Sequence, residues 1–366
     1  MREILRGVGF ILHAPGAMAL VSLPIAWWGG ERWGMVGLLV TAAVSLIPAQ
    51  VLIWTTRGPT EFYRYQSMLI AAISWLLITM IGAIPFFVSA HLSPPSMEAA
   101  TAFFRYPAHA FFESVSGFTS TGLTVVAAAS ELPHHIQWWR SFIQWIGGIG
   151  VILLLLAVIP AERGAINLYF SEARDEKILP TVKSTVQAIW AIYVGYTLVG
   201  IALLWVAGEP LWRAINHAMA AISTGGFTIT DDGIANAPAQ VKLAYVPIML
   251  VGAISFLVHY RMVVQRVRFR ALWQLLEVRV FVYVLVFGSL ILWVHRALVG
   301  GESDPVSSLV LWVSAMTASG VASVDLTTVD NGSLLLLLVG LTMGGMAGSA
   351  AGGIKHLRVG LLFKDV

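Results

Sequence analysis

The sequence predicts an all-α polytopic membrane protein, assembled from repeated units that each comprise a helix, a short re-entrant half-helix, a polar loop and a second helix. Three observations predict it. Of the 366 residues, 58% are hydrophobic and only 11% charged, where soluble proteins carry about 25%, and the mean hydropathy is +0.80. Apolar runs long enough to cross a bilayer follow one another along the chain. Between them a hydroxyl-and-glycine stretch recurs, as Phe118-Thr119-Ser120-Thr121-Gly122-Leu123, Ala221-Ile222-Ser223-Thr224-Gly225-Gly226 and Met316-Thr317-Ala318-Ser319-Gly320-Val321. The glycines Gly122, Gly225 and Gly320 stand at a near-constant pitch (225 − 122 = 103 and 320 − 225 = 95).

Taken in order, residues 7–28 form a first span with no small-residue cleavage site after a short core, and residues 33–56 form a second. These make an N-terminal pair, residues 1–60, outside the repeat. The first repeat, 61–165, opens with a helix from about Glu61 to His91. Residues 97–116 contain Glu98, Arg105, His109 and Glu113, too polar to face lipid, and read as a half-helix that enters the membrane and stops. Non-helical backbone at membrane depth is tolerated only where it lines a cavity or is buried in protein. A span over 136–160 follows, then a hydrophilic loop over 161–183. The second repeat, 166–270, has a span at 186–207, a re-entrant piece at 210–222 and a span at 241–260. The third, 271–366, has a span at 278–299, a re-entrant piece at 305–316 and an apolar run from Leu334.

Charge sets the orientation. With the N-terminus inside, the inner segments hold Arg2, Arg6, Arg57, Arg64, Arg163, Arg174, Lys177, Lys183, Arg261, Arg266, Arg268, Arg270, Arg279, Lys355, Arg358 and Lys364, which is 16 of the 22 Lys and Arg. Positive charge gathers on the cytoplasmic side of membrane proteins, so a pI near 9.2 reflects topology and not nucleic-acid binding. Each half-helix then enters from outside. A second anchor keeps the register: Ile146-Gly147-Gly148-Ile149, Val251-Gly252-Ala253-Ile254 and Met343-Gly344-Gly345-Met346 follow the loop glycines by 25, 27 and 24 residues. Small residues there let helices approach closely.

Such loops suit cations. An ion that sheds part of its water needs oxygen ligands that do not hold it too tightly. Glycine turns carbonyls freely, and the hydroxyls of Thr119, Ser120, Thr121, Ser223, Thr224, Thr317 and Ser319 can brace the loop or face the ion. Half-helices ending near the membrane centre place partial negative charge there. No Asp or Glu lies in the loops; Asp231, Asp232, Asp325 and Asp330 fall just beyond the second and third and serve either as an outer cation attractor or as solvated loop carboxylates. Glu113 reads as a brace for its half-helix, since intramembrane acids are usually paired. The chain has no cysteine, which excludes disulfides and thiolate metal sites. His134 and His135 are adjacent and expected to point apart, and His109 and Glu113 lack a third ligand. Paired tryptophans such as Trp27, Trp28, Trp138 and Trp139 at span ends read as interfacial anchors. No catalytic triad, HExxH or phosphate loop is present; at the glycine-rich end Ile354 separates Gly353 from Lys355 where a P-loop needs Gly-Lys-Ser/Thr. The chain is expected not to be an enzyme and to carry no cofactor.

The three loops, the run Trp138-Trp139-Arg140-Ser141-Phe142-Ile143-Gln144-Trp145-Ile146-Gly147-Gly148-Ile149-Gly150 and the run Gly344-Gly345-Met346-Ala347-Gly348-Ser349-Ala350-Ala351-Gly352-Gly353-Ile354-Lys355 together resemble the TrkH/KtrB (Trk, Ktr and HKT) potassium transporter family over nearly the whole chain. The N-terminal helix pair makes the likeness nearer to the TrkH branch. The resemblance implies a potassium-channel-like pore of four such repeats in one chain. It implies potassium ions held at filter residues Thr119, Ser120, Thr121, Gly122, Ile222, Ser223, Thr224, Gly225, Thr317, Ala318, Ser319 and Gly320. Serine in the first filter goes with sodium transport in plant relatives, so Gly122 implies a preference for potassium. It implies an intramembrane gate loop at Gly344, Gly345, Gly348, Ser349, Gly352, Gly353 and Lys355; independently, five glycines in ten residues stabilise a helix poorly. It further implies a homodimer in the cell membrane, with a cytosolic nucleotide-binding regulator of the RCK type. The sequence holds three of the four repeats, and it is expected to be a fragment, one half of a split gene whose partner chain supplies the fourth, or a degenerate copy. The alternatives to potassium uptake are a non-conducting membrane subunit derived from a transporter, and a secondary transporter, for which midplane charges are scarce.

Overall fold

The computed structural model describes residues 1–58, 63–150, 182–299 and 304–364. Every regular element among them is helical. The chain forms two compact units, Met1–Trp190 and Ala191–Val366. The expected repeat start at Glu61, residues 161–181 of the expected hydrophilic loop, the 165/166 repeat boundary and the basic residues Arg163, Arg174 and Lys177 all lie outside the described residues, while the loop's last two residues, 182 and 183, are helical.

In the first unit, α1 (Arg2–Trp28) and α2 (Arg32–Thr55) pack along their length, joined by a turn at residues 29–31. Their seam is made of small residues: a Cβ on Gly16 would lie 2.6 Å from Leu46 Cγ, and Ser45 Oγ donates to the Leu12 carbonyl. Lipid removes the hydrophobic drive between helices, so close backbone approach does the work. Next come α3 (Arg64–Gly82), α4 (Ile84–Leu92) and the short α5 (Glu98–Thr101), which runs into a 3₁₀ turn at Ala102–Arg105. α6 (Pro107–Phe118) is the half-helix and α7 (His134–Ile149) the helix after the loop.

Two expectations are corrected here. The half-helix does not run unbroken over 97–116. Tyr106 is extended, with φ −86° and ψ 120°, because the residue before a proline is driven out of the α region, and Pro107 then starts a fresh helix at its first position. Within the span expected over 136–160, helix α7 stops at Ile149, where Gly150 takes φ 99°, and residues 151–160 lie outside the described residues.

The adjacent histidines His134 and His135 do not point apart. Both reach Glu31, in the turn between α1 and α2. Glu31 Oε1 accepts the His134 N–H at 2.7 Å and Oε2 the His135 N–H at 2.9 Å, and His135 Nδ1 lies 2.5 Å from Oε2. His135 Nε2 meets Ser89 Oγ at 2.9 Å. A helix N-terminus offers unpaired N–H groups and a positive dipole end, and here a carboxylate 103 residues earlier supplies the cap that Pro133 cannot. Burial pushes the Glu31 carboxyl up, but the hydrogen bonds from His135 and His134 outweigh it and hold it below the usual carboxylate range. Glu31→Gln is therefore expected to lower stability by about 2–3 kcal/mol, the worth of charge-assisted hydrogen bonds. In thermal unfolding in detergent, the gap between wild type and variant should be full at neutral pH. It should close as pH falls through the carboxylate range, since a depressed pKa stabilises only while the group is ionised.

The helix α8 (Val182–Val206) leads into the second unit, which contains the half-helix α9 (Leu211–Ile222), α10 (Ala239–Ala253), α11 (Phe256–Val263), the short α12 (Phe269–Leu272), α13 (Leu276–Val299), the half-helix α14 (Pro305–Met316), α15 (Asn331–Met343) and α16 (His356–Lys364). The span expected over 241–260 is broken: α10 and α11 meet at 105°, with Ile254 and Ser255 extended between them. Trp312 of α14 is the core's largest piece, seated where a Cβ on Gly288 would lie 2.0 Å from its ring. Around it gather Val278, Phe281, Leu292, Leu311 and Met316. Among the described residues five helices are long and apolar enough to cross a membrane, or six if α10 and α11 count as one span.

Candidate functional site

Three half-helices of 12 residues each, α6, α9 and α14, end in the same way. In the first, the Thr121 N–H reaches back to the Ser116 carbonyl and the Ser120 N–H to Gly117. In the second, Gly225 reaches Ala220 and Thr224 reaches Ala221; in the third, Ser319 reaches Ser314 and Ala318 reaches Ala315. This is the Schellman pattern, which needs one residue in the left-handed region, usually glycine. Here it is Ser120 at φ 53°, Thr224 at 52° and Ala318 at 54°. A side chain in that conformation costs about 1–2 kcal/mol. Two residues on, Gly122, Gly226 and Gly320 also have positive φ, at 78°, 80° and 68°.

The register of the second loop is thereby shifted by one residue from the sequence expectation. Ile222 is the last residue of α9 and matches Phe118 and Met316. Gly226, not Gly225, occupies the place of Gly122 and Gly320, while Gly225 matches Thr121 and Ser319. The equivalent stretches are residues 119–122, 223–226 and 317–320. Within the second unit the loops touch glycine to glycine: a Cβ on Gly226 would lie 2.8 Å from the Ser319 carbonyl oxygen and 3.1 Å from Gly320 Cα.

The hydroxyls brace these turns. Thr119 and Thr317 Oγ1 donate to the carbonyls of Val115 and Val313 at 2.7 Å each, and their partners Thr121 and Ser319 stand 2.7 Å away. Ser223 Oγ donates to Ala220 at 3.0 Å, and Thr224 Oγ1 to Ser223 at 2.8 Å. The small-residue anchor acts on the same spot. A Cβ on Gly147 would sit 2.0 Å from the Phe118 carbonyl oxygen, and one on Gly252 2.3 Å from that of Ile222. Each glycine lets the following helix press on the last carbonyl of its half-helix. In the third repeat the pattern differs: Gly340 packs against the Trp312 and Ala315 side chains of the half-helix, and Gly344 packs against Gly352 and Gly353 of the loop that follows it.

Glu113 is fully buried behind the first loop. It pairs with Arg140 Nε at 2.7 Å and accepts from Thr124 Oγ1 at 2.8 Å and the Val125 N–H at 3.2 Å. Behind the second loop His217 Nε2 accepts the Ile229 N–H at 3.2 Å. Its Nδ1 faces Glu209 Oε1 at 2.9 Å and Tyr245 Oη at 2.6 Å. Arg140, His217, Glu209 and Tyr245 are residues that sequence reasoning missed. Their signal was the spacing of Glu113 from its glycine, which His217 repeats only once Gly226 is taken as the reference.

Beyond the second and third loops lies a cavity of about 1170 Å³, lined by Gly226, Gly320, Asp231, Asp232, Asp325 and Asp330 among others. Asp325 accepts the Thr327 N–H and hydroxyl at 2.9 and 2.7 Å. Asp330 caps α15 through the Ser333 N–H at 3.0 Å and meets His295 Nε2 at 3.0 Å. Thr327 holds the Asp325 carboxyl below its ordinary range, and Ser333 with His295 holds Asp330 well below. Both stay ionised at neutral pH, so these residues cap loops and also lend the cavity negative charge. Two buried cations in its wall, Lys242 and Arg296, hydrogen-bond Ser307 and Ser308 at 3.0 and 3.2 Å.

The glycine-rich residues 344–355 form a non-helical loop between α15 and α16. Its two arms run so close that a Cβ on Gly344 would lie 2.0 Å from the Gly352 carbonyl oxygen. Gly345 N–H binds Gly352, Ser349 Oγ donates to Met346, and Lys355 Nζ reaches the Ala351 carbonyl. Gly348 and Gly353 have φ of 71° and 87°. The loop fills the break in α10–α11: Met346 and Ala350 donate to the Ala253 and Gly252 carbonyls at 2.8 and 3.1 Å, and the Phe256 N–H returns to Gly348 at 3.3 Å. Glu277, in the first turn of α13, accepts the Ala347 N–H at 2.6 Å and also takes that of Leu357.

Known proteins are similar to this chain over most of its length. Residues 38–300 match the family described as TrkH, cation transport protein. An uncharacterized cation transporter of Methanocaldococcus jannaschii is 31% identical over 99% of this chain and 71% of its own length. The Trk system potassium uptake protein TrkH of Salmonella typhimurium is 30% identical over 89% of this chain and 67% of its own. The crystal structure of the potassium transporter TrkH from Vibrio parahaemolyticus matches with a TM-score of 0.84 at 26% identity, over 99% of this chain and 74% of that one. With the family match spanning well over half its length, this chain belongs to the TrkH family of cation transport proteins.

Proposed function

We propose that the chain is the pore-forming subunit of a Trk-type potassium uptake system. Potassium passes residues 119–122, 223–226 and 317–320, where backbone carbonyls replace part of its water shell, and residues 344–355 gate the path. The observation that carries this reading is the threefold recurrence of one strained backbone turn, each ending in a glycine of positive φ. Such strain persists where function requires a fixed backbone. The potassium uptake named for the Salmonella and Vibrio relatives supports it.

The protein is a transporter and not an enzyme in this reading, with potassium as its cargo. Its repeats run over 61–165, 166–270 and 271–366 after an N-terminal pair at 1–60. It sits in the cell membrane with its N-terminus in the cytoplasm, as the distribution of Lys and Arg favours. Its partners are a second copy of itself and a cytosolic nucleotide-binding regulator.

The test is growth and rubidium uptake in a host lacking potassium uptake, with the chain expressed alone and with a fourth unit on a second chain. The wild type should restore growth at low potassium, and Gly122→Val should raise the potassium needed at least tenfold. Gly122→Val behaving as wild type would remove the first loop from the ion path. No uptake in either arrangement would favour the non-conducting subunit.

A further inference from the structure

The side chains behind the first two loops differ in chemistry but agree in position. Glu113, His217 and Leu311 each stand nine residues before the glycines Gly122, Gly226 and Gly320, at the seventh place of their half-helices. Arg140 and Tyr245, which meet Glu113 and His217, each stand seven residues before the packing glycines Gly147 and Gly252. Val125 and Ile229, whose N–H groups are taken, each stand three residues after the loop glycine.

In the first unit the acceptor is a carboxylate oxygen neutralised by a guanidinium. In the second it is an imidazole nitrogen whose proton sits on the opposite nitrogen, facing Glu209 and Tyr245. The shared element is therefore not a charge. It is a buried acceptor presented to one particular backbone N–H. The third repeat, also in the second unit, has neither: Leu311 lies in the apolar core, and Ser323, the residue three past Gly320, instead ties its own hydroxyl to the Ser307 carbonyl of the half-helix at 2.8 Å.

We propose that Glu113 and His217 are positioning residues for ion selectivity, each pinning from its half-helix the backbone just past the loop glycine, a tie that the third repeat makes in the opposite direction, from the Ser323 hydroxyl to the Ser307 carbonyl of the half-helix. This rests on the potassium-filter reading above. Carbonyls that replace a hydration shell discriminate between ions through their number and spacing, and a loop fixed at one end only by its half-helix is free to widen. Pinning the strand that leaves the glycine closes the loop from its other end. A purely structural brace would need only matched volume and charge, so the two roles separate experimentally.

The experiment transplants one repeat's solution into another. E113H/R140Y places the second unit's pair in the first and keeps an acceptor for the Val125 N–H. E113L/R140L installs the apolar residue of the third repeat without the Ser323 hydroxyl that ties that repeat, so the Val125 N–H loses its acceptor; a buried ion pair replaced by apolar residues of similar volume is often neutral for stability. Uptake of rubidium against rising sodium gives the selectivity, and thermal unfolding in detergent gives the fold. E113H/R140Y should keep the wild-type ratio within about twofold, and E113L/R140L should lose about tenfold, the factor that one buried hydrogen bond is worth.

The proposal is overturned if E113L/R140L, unfolding at the wild-type temperature, keeps the wild-type ratio, or if a folded E113H/R140Y loses it. Should E113L/R140L fail to fold, His217→Leu against His217→Gln decides in the second unit, where glutamine alone preserves the acceptor and should alone preserve the ratio. A wild type that does not distinguish rubidium from sodium would instead refute the filter reading itself.

Discussion

Gly226→Ser should abolish potassium-selective uptake, while Gly225→Ser should leave most of it. The two glycines are neighbours and look alike in sequence. At Gly226 a side chain meets two obstacles. Its φ of 80° is one that L-residues rarely adopt, at a cost of about 1–2 kcal/mol. Its Cβ would also sit 2.8 Å from the Ser319 carbonyl oxygen, in the backbone of the third loop. That neighbour is main chain and cannot swing aside, so the second and third loops must part. Gly225 has no positive φ and stands where the other loops carry Thr121 and Ser319, whose hydroxyls pair with Thr119 and Thr317 at 2.7 Å. A serine there reproduces the pattern of the neighbouring repeats. Rubidium uptake by the two variants at matched membrane levels checks the result; equal damage from both would mean that the second loop's register is not the one its backbone indicates.

Glu277→Ala should release the glycine-rich loop. Glu277 accepts the Ala347 N–H of the loop and the Leu357 N–H at the start of α16 just after it, and hydrogen bonds to a charged acceptor are worth about 1.5–3 kcal/mol each. Losing them shifts the balance between seated and unseated loop by at least tenfold. The chain has no cysteine, so Ser349→Cys provides a reporter without background. Its rate of modification by a water-soluble thiol reagent should rise about tenfold when Glu277→Ala is added. An unchanged rate would mean that the contacts with the broken helix hold the loop by themselves.

How much of this was legible in the sequence depends on where each feature gets its cause. The third half-helix was read with its exact bounds, because Asp304 and Pro305 mark its start and the Thr317–Gly320 loop its end in local sequence. The glycine-rich loop was equally plain, since its composition alone denies a helix. The second loop was read one residue early because two consecutive glycines leave the register open; only the left-handed turn at Thr224 closes it. The break between α10 and α11 was missed for a deeper reason. Ile254, Ser255 and Phe256 themselves are no helix breakers, and the nearby Gly252 read as a packing residue; what permits the bend is main chain donated from Met346 and Ala350, about ninety residues further on. The capping of α7 by Glu31 was hidden likewise: adjacent side chains on a helix diverge, and only a partner from another hairpin brings His134 and His135 to one carboxylate.

The interlock between the broken helix and the glycine-rich loop carries a consequence for hydration. While the loop is seated, the Gly252 and Ala253 carbonyls are satisfied by its N–H groups. When it leaves, those oxygens and the loop's own donors are orphaned together. In an apolar interior each would cost several kcal/mol, more than the loop's contacts could repay. The loop therefore cannot withdraw into a dry space. Water must enter as it leaves, so wetting of the space it vacates and movement of the loop are a single event. Agents that change water activity, such as excluded osmolytes, should then shift the balance between seated and unseated loop without touching either partner.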